Sequence, residues 1–334
     1  MTGVQTCALP IFAETAGVSP ATVSRVLNGD PRVASDRVDR VNRAIKELGY
    51  SPNRAARTLV TGKTGLVAAV IDSNLNVFAD PFWGQITTGI SQALQEANFS
   101  ALLMVRPLDV EDPSVVASLA PGQVDGAIFF QLHNDDTVNL LQDMGLPLVV
   151  VGRPEASSKL VYVDSDNLGG AAQATEHLLK RGCRKVATVA GNQQLSSGRL
   201  RLEGYRRALE AAGVAYDDTL VAYGDWTDES GAAAIRSLLD AQPDLDGVFV
   251  ANDLMALGAL AVLEERGLTV PDDVAVVGFD NMFAGRLSRQ QLTTVEQDVQ
   301  GLGAKAASMV IQMIDGAKPN SVVLPTTLIE REAA

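Results

Sequence analysis

The chain has 334 residues, and 40 acidic against 27 basic side chains give it a formal net charge of −13. This acidity excludes a protein that coats nucleic acid with its whole surface, and the length allows more than one domain. No apolar run approaches the roughly 20 residues that span a bilayer, and the first residues lack the pattern of a signal peptide. Cys7 and Cys183 are too few for a metal cluster, so we expect free thiols in a cytoplasmic protein.

The charge is unevenly distributed along the chain. Residues 1–60 carry eight basic and five acidic side chains, a net charge of +3, whereas the remainder carries −16. This reversal predicts a head that tolerates phosphates and a body that avoids them.

Three short helices are predicted in the head. We expect them around Pro10–Ala16, at 20–27 and after Ser35, whose hydroxyl is a good N-cap. The third helix should end at Gly49. It places an apolar stripe on one face, formed by Val38, Val41, Ile45 and Leu48.

The second helix combines an apolar face with a face suited to DNA. Ser19 can cap it, and Pro20 occupies the first helical position, where a missing N–H costs nothing. Val23, Val26 and Leu27 recur at helical spacing, and Asn28-Gly29 ends the helix. The polar face consists of Ser19, Ala21, Thr22, Ser24 and Arg25. Short hydroxyls can reach phosphates and an arginine can reach a guanine edge, so we predict a DNA-reading helix; an ordinary capped surface helix is the alternative.

A linker is predicted at 51–63. Ser51-Pro52 interrupts the chain, and Asn53 to Val60 has room for only two helical turns, which are unstable alone. A segment that folds only against a partner can couple the head to the body.

From Gly65 onward, apolar runs of strand length alternate with helical patterns. Strands are expected at 65–71, 101–105, 124–130, 147–151, 186–190, 246–251 and 274–279. Helices are expected near 82–97, 136–144, 167–181, 199–212, 228–241 and 253–266. This alternation predicts parallel sheets covered on both faces, and the length favours two α/β subdomains. Ligands of such sheets bind beyond the carboxyl ends of the strands. The polar residues at those ends are Asp72, Arg153, Asn252, Asp253 and Asp280.

Several motifs resemble those of the lactose-repressor-type (LacI/GalR) family of bacterial transcription regulators. The resemblance covers about residues 12 to 330, and its most specific motif is Ala16–Gly29. The other matching segments are Leu48–Leu59, Asp80–Phe82, Arg199–Tyr205, Ala251–Gly258, Val277–Asp280 and Leu292–Asp298. Residues 1–11 depart from the family pattern, and we interpret them as a non-native leader preceding a helix-turn-helix domain that ends at residue 50.

The resemblance implies a DNA-binding mode. In such proteins the second helix lies in the major groove, and a homodimer reads a near-palindromic operator. Carried over, the base-facing positions are Pro20, Ala21 and Arg25. The implied phosphate contacts are Ser19, Thr22, Ser24 and Asn28. In the hinge, Leu59 would wedge a base step of the minor groove. The residues implied beside that wedge are Asn53, Ala56 and Arg57.

The body resembles periplasmic sugar-binding proteins. The resemblance implies an all-α helix-turn-helix head plus an α/β body of two doubly wound subdomains, with chain crossings near 165, 297 and 321. The DNA-proximal subdomain would comprise 64–165 plus 298–320, and the distal one 166–297 plus 321–334.

A sugar in the cleft needs planar polar groups for its hydroxyls and an apolar plate for its ring. Asp280, Asn252 and Gln297 suit vicinal hydroxyls, Arg201 is a strong bidentate donor, and Trp226 can stack. The predicted effector-binding residues are Phe82, Arg153, Ser197, Arg201, Trp226, Asn252, Asp280 and Gln297. Asp280 and Asn252 also have a structural interpretation as helix caps, Trp226 as a core residue and Arg153 as a solvated loop charge.

We therefore expect a homodimeric repressor whose operator affinity is controlled by a small sugar through ordering of the hinge segment. The sequence shows no catalytic constellation or metal-ligand spacing, so we expect no enzyme activity and no cofactor. The alternatives are a purine or nucleoside effector on the same architecture, a solute-binding protein without a DNA role, and an α/β enzyme acting on sugars.

Replacing Arg25 with alanine is expected to weaken operator binding by about 1–3 kcal/mol and to relax the preference at one base pair. Binding should be measured by fluorescence anisotropy on an inverted-repeat duplex selected from a random pool, and on its single-base variants. An equal loss of affinity on every duplex would contradict direct readout and assign Arg25 to a phosphate.

Overall fold

A computed structural model describes residues 3–27, 30–48, 62–72, 80–106, 113–120, 122–130, 136–154, 158–283, 285, 288–289 and 291–334. The chain forms two compact units, Met1–Thr64 and Gly65–Ala334. Each helix of the described chain is too short or too polar to cross a membrane.

The first unit contains three helices around a small core. They are α1 (Gly3–Ala16), α2 (Pro20–Leu27) and α3 (Ser35–Glu47). The buried side chains between them are Phe12, Ala13, Ala16, Val23, Val41 and Ala44. Gly17, with φ +61°, forms the tight turn from α1 to α2, a backbone conformation that favours glycine.

Two details of the third helix differ from the prediction. Ser35 is already helical, and Ala34 stands at the cap without a side-chain hydrogen bond. Leu48, expected on the buried stripe, is 45% exposed, because the helix ends at Glu47 and Ala44 takes the buried place instead. Helix α1 also begins earlier than the predicted Pro10.

The second unit contains two six-stranded sheets. The strands of the first sheet are β1 (Leu66–Asp72), β2 (Ser100–Arg106), β3 (Gly126–Phe130), β4 (Leu148–Val151), β5 (Tyr162–Ser165) and β11 (Val322–Leu324). Those of the second are β6 (Val186–Ala190), β7 (Val221–Tyr223), β8 (Gly247–Val250), β9 (Ala275–Asp280), β10 (Thr293–Gln297) and β12 (Thr326–Ile329). The orders are β11-β5-β4-β3-β1-β2 and β12-β10-β9-β8-β6-β7, and the pairing is parallel except between β10 and β12.

Eight further helices cover these sheets in the described part of the unit. On the first sheet lie α4 (Pro81–Glu96), α5 (Pro113–Leu119), α6 (Asp136–Asp143) and α11 (Val299–Ile314). On the second lie α7 (Asn167–Arg181), α8 (Ser196–Ala211), α9 (Asp228–Ala241) and α10 (Asp253–Glu265). We call each sheet with its helices the first lobe and the second lobe. The central strands are buried on both faces, as their apolar runs predicted.

The chain passes between the lobes three times. It leaves the first lobe after Ser165, returns between Gln297 and Val299, and leaves again at Pro325. The third crossing was expected near 321, which assigned 321–334 to the second subdomain. Instead Val322–Leu324 adds a parallel edge strand beside Tyr162–Ser165, so this prediction is corrected by four residues.

Candidate functional site

A cavity of about 310 Å³ lies between the lobes, at the carboxyl ends of the central strands. From the first lobe it is lined by Asp80, Phe82 and Trp83. From the second it is lined by Asn192, Ser197, Arg201, Asp225, Trp226, Thr227, Asn252, Leu254, Asp280 and Gln297. This volume is at the lower end of the roughly 300–1,000 Å³ of small-molecule sites.

The structure brings seven of the eight predicted effector residues to this cavity and leaves Arg153 out. Arg153 follows β4 in the first lobe, and its Nε lies 3.9 Å from Asp164 Oδ2. Its guanidinium carbon lies 5.9 Å from the ring centre of Tyr162. The neighbouring strand β5 thus provides both partners of Arg153. The side chain is half-exposed, but it is not purely solvated as the alternative interpretation expected.

Arg201 is the most heavily bonded side chain of the cavity. It is 5% exposed, and its Nε donates to Asn167 Oδ1 at 2.8 Å. Its Nη1 donates to the Ala251 carbonyl and to Asp280 Oδ1, the latter at 3.3 Å. The centre of the Phe279 ring lies 3.7 Å from the guanidinium carbon. The guanidinium is therefore fixed by the ends of β8 and β9 and by the start of α7.

Asp280 joins Arg201 to Gln297. Gln297 Nε2 donates to Asp280 Oδ1 at 2.5 Å, so one carboxylate oxygen accepts from both neighbours. Burial raises the pKa of Asp280 to about 7, although Arg201 opposes the rise. Burial also raises the pKa of Asp80. Two carboxyl groups that bind protons more tightly than usual therefore face this cavity, and perturbed carboxyls of this kind are typical of functional sites.

Asn252 lines the cavity and also caps a helix. Its Oδ1 accepts from the Met255 amide at 2.9 Å and caps α10, and its Nδ2 donates to the Trp226 carbonyl at 3.1 Å. The side chain of Asp280 instead accepts from Arg201 and Gln297, both through Oδ1.

Trp226 forms the apolar plate of the second lobe. A Cβ on Gly191 would lie 2.1 Å from the Trp226 ring, so the ring packs directly on the bare backbone of this glycine. Trp226 has φ +78° and Asp280 has φ +106°, both in the left-handed region that favours glycine. Such strain is frequently found at ligand sites.

Two buried polar atoms of the cavity wall lack a hydrogen bond within the described chain. They are Trp226 Nε1 and Ser197 Oγ. Leaving a buried donor unpaired costs roughly 1–3 kcal/mol, so a ligand with matching groups would recover this energy.

Sequence reasoning missed six residues of the wall. They are Asp80, Trp83, Asn192, Asp225, Thr227 and Leu254. Asp80 was visible as a helix cap before Pro81, and its Oδ1 accepts from the Phe82 amide at 2.9 Å. Trp83 packs edge-on against Phe82 and Phe130 and is nearly buried, so its apolar pattern alone identifies only a core residue.

In the head, the structure places the predicted DNA-facing residues of α2 together. Ser19 Oγ accepts from the Thr22 amide at 3.2 Å, which confirms the cap. Ser19, Ala21 and Arg25 are exposed, whereas Val23 is buried in the core. Pro20 is exposed as well, and Thr22 and Ser24 are half-buried. The predicted contacts Asn28, Asn53, Ala56, Arg57 and Leu59 lie outside the described residues.

Within the described residues, no group of three or more His, Cys, Asp or Glu side chains is placed to hold a metal ion. Cys183 is a free thiol.

Comparison with known proteins explains the pairing of such a head with such a cavity. Residues 12–53 match the family of bacterial regulatory proteins, lacI family, and residues 175–333 match the periplasmic binding protein-like domain. The HTH-type transcriptional regulator CelR of Thermobifida fusca is 45% identical over 331 residues, which are 97% of each chain. The chain belongs to the lacI family of bacterial regulatory proteins.

Solved structures agree with this assignment. A complex of the transcriptional regulator CelR with cellobiose shares 43% identity over 98% of this chain and 99% of its own, with a TM-score of 0.77. A lac repressor dimer bound to operator and an anti-inducer shares 28% identity over 96% and 97%, with a TM-score of 0.86. This lacI-family member is a DNA-binding transcriptional regulator with a helix-turn-helix head and a two-lobed body, as the sequence motifs predicted.

The stability of this regulator should fall as the pH rises from 6 to 8. Burial raises the pKa of Asp253 to about 8 and that of Asp280 to about 7. The folded chain holds these protons at a pH at which the unfolded chain has released them, since ordinary aspartates titrate near pH 3.9. The contribution of these two groups to the free energy of unfolding is therefore fully present below their unfolded-state pKa and is lost as the pH rises through 7 to 8. We expect a loss of about 1–3 kcal/mol.

Urea denaturation at pH 6, 7 and 8 measures this loss. Asp253→Asn should flatten the profile, whereas the exposed Asp240→Asn controls for the loss of one carboxylate. A wild-type free energy of unfolding that is constant or rises with pH would refute the assignment.

Proposed function

We propose that this regulator is a cytoplasmic, non-enzymatic repressor whose operator affinity is controlled by a neutral disaccharide of the cellobiose type. The observation that carries the proposal is the cavity between the lobes. It has aromatic rings on both walls, Phe82 and Trp226. Buried polar atoms of Ser197 and Trp226 face it without a hydrogen-bond partner among the described residues. Aromatic plates match the C–H faces of sugar rings, and the polar groups match their hydroxyls.

The charges of the cavity favour a neutral ligand. Arg201 is the cationic side chain among the described wall residues, and its guanidinium is already bonded to Asn167, Ala251 and Asp280. Asp80, Asp225 and Asp280 contribute carboxyl groups. A phosphate would face these carboxyls without a free cation, whereas sugar hydroxyls can donate to them.

A relative supports the choice of disaccharide. The CelR structure that shares 43% identity with this chain contains cellobiose. The rings at opposite walls, Phe82 in the first lobe and Trp226 in the second, offer one plate to each ring of such a sugar.

We propose a homodimer that presents two heads to a palindromic operator. Strand β2 is the exposed edge of the first sheet, and Leu102 and Leu103 on it are 39% and 48% exposed. Beside it, Leu103 and Ala101 line a groove with Thr87, Thr88 and Ser91 of α4. An exposed apolar edge strand is a template for pairing, and a second copy of this chain satisfies it.

Cellobiose titration tests the proposed effector. Isothermal titration calorimetry of the full-length protein should show cellobiose binding, and saturating cellobiose should change operator affinity at least about fivefold. A sugar phosphate and a purine base are the comparison ligands. Binding of the purine or the phosphate without binding of cellobiose would refute the proposal.

Gly191→Ala tests the stacking plate. The added methyl group forces the Trp226 ring away from its place, so cellobiose affinity should fall about three- to tenfold. Gly84→Ala adds the same methyl group into open space on α4 and should leave affinity unchanged. Equal affinities for both variants would exclude Trp226 as the plate.

Leu103→Glu tests the dimer. A charge on the exposed edge should convert the protein to monomers in sedimentation velocity at micromolar concentration, because a buried unpaired carboxylate is unfavourable. Val214→Glu, a change at an exposed apolar position of the second lobe, is the control. A Leu103→Glu protein that sediments as the wild type would place the dimer face elsewhere.

A further inference from the structure

Met282 belongs to the second lobe by sequence but packs in the core of the first. It follows β9 by two residues, and its side chain is 4% exposed. It belongs to the apolar cluster of the first sheet, together with Trp83 and Ile86 of α4. Among the described residues between β5 and α11, Met282 is the buried side chain that joins this cluster.

The second lobe holds the backbone of Met282 firmly. The Met282 amide donates to Asp253 Oδ2 at 2.6 Å, and Thr294 Oγ1 donates to Asp253 Oδ1 at 2.6 Å. The preceding Asn281 accepts from Arg331 Nη2 at 2.6 Å and donates to Glu296 Oε1 at 2.8 Å. These bonds fix where the Met282 side chain leaves its own lobe.

The Met282 side chain contacts helix α4 of the first lobe. Gln85 Nε2 lies 3.1 Å from Met282 Sδ, a weak hydrogen bond added to the apolar contact. The same helix contributes Phe82 and Trp83 to the cavity and turns Thr87, Thr88 and Ser91 toward the groove beside β2. One helix therefore touches the cavity, the Met282 side chain and the proposed partner face.

Asp280 connects the cavity to Met282 along the chain. It lines the cavity and precedes Met282 by two residues, and both Asp280 and Asn281 have left-handed backbones, with φ +106° and +54°. Because Asn281 alone separates Asp280 from Met282, a ligand that displaces Asp280 acts on the backbone that positions Met282.

We propose that Met282 is a latch between the lobes: seated against α4, it keeps the cleft closed and carries the state of Asp280 to the partner-facing side of α4. The proposal makes Met282 a positioning residue, since it acts through α4. Its response to a sugar rests on the function proposed above, but its closure of the cleft does not.

The first experiment measures closure without a ligand. The chain has two tryptophans, Trp83 and Trp226, and both line the cavity, so acrylamide quenching of their fluorescence reports cleft opening. Met282→Ala should raise the quenching constant at least twofold. Met309→Ala removes the same side chain from the same core, but from α11 within the first lobe, and should leave the constant at the wild-type value.

The second experiment measures coupling. The ratio of operator Kd with and without saturating cellobiose should fall at least threefold in Met282→Ala and stay within twofold of wild type in Met309→Ala. If Met282→Ala does not fold, Met282→Val replaces it as a smaller truncation.

The latch is overturned if both variants change quenching equally, or if Met282→Ala leaves it unchanged. It is likewise overturned if cellobiose shifts operator affinity in Met282→Ala as in the wild type. A wild-type protein that ignores cellobiose would refute the proposed effector alone, because the quenching comparison still decides whether Met282 closes the cleft.

Discussion

The guanidinium of Arg201 is the interaction on which the site depends. A buried cation is tolerated only if it is fully bonded, because removing it from water costs several kcal/mol. Here Asn167, the Ala251 carbonyl and Asp280 provide that bonding, and the Phe279 ring covers one face. These partners come from the start of α7 and the ends of β8 and β9, so one side chain ties together the edge of the second sheet where ligands bind.

Around this fixed centre, the cavity departs from ordinary packing. Trp226 and Asp280 have left-handed backbones, and Trp226 Nε1 and Ser197 Oγ are buried without partners in the described chain. Such violations are frequent at sites that a ligand completes, whereas the central strands below the cavity are buried and paired in parallel. In this body the central strands are regular, and the irregular residues are found in the wall of the cavity.

Local sequence pattern predicted most of the scaffold. Strand β6 at 186–190 and helices α7 at 167–181 and α9 at 228–241 have the expected bounds, because their apolar periodicity is continuous and their ends carry clear caps. Strand β10 (TTVEQ) was not predicted, since it mixes threonines with polar residues. Strands β11 and β12 are three and four residues long, and β11 exists only because Val322 meets Val163, far away along the chain.

The sequence by itself determined the family, the helix-turn-helix head and five polar residues of the cavity wall. Two of these, Asn252 and Asp280, stand at the ends of strands whose direction the pattern reveals. The tertiary structure alone decided that Arg153 belongs to Asp164 and lies outside the cavity, and that Met282 packs in the opposite lobe. Both outcomes depend on which element lies beside which. The arrangement of neighbouring elements is set by pairing and packing between segments that are distant in the chain, and local periodicity does not predict it.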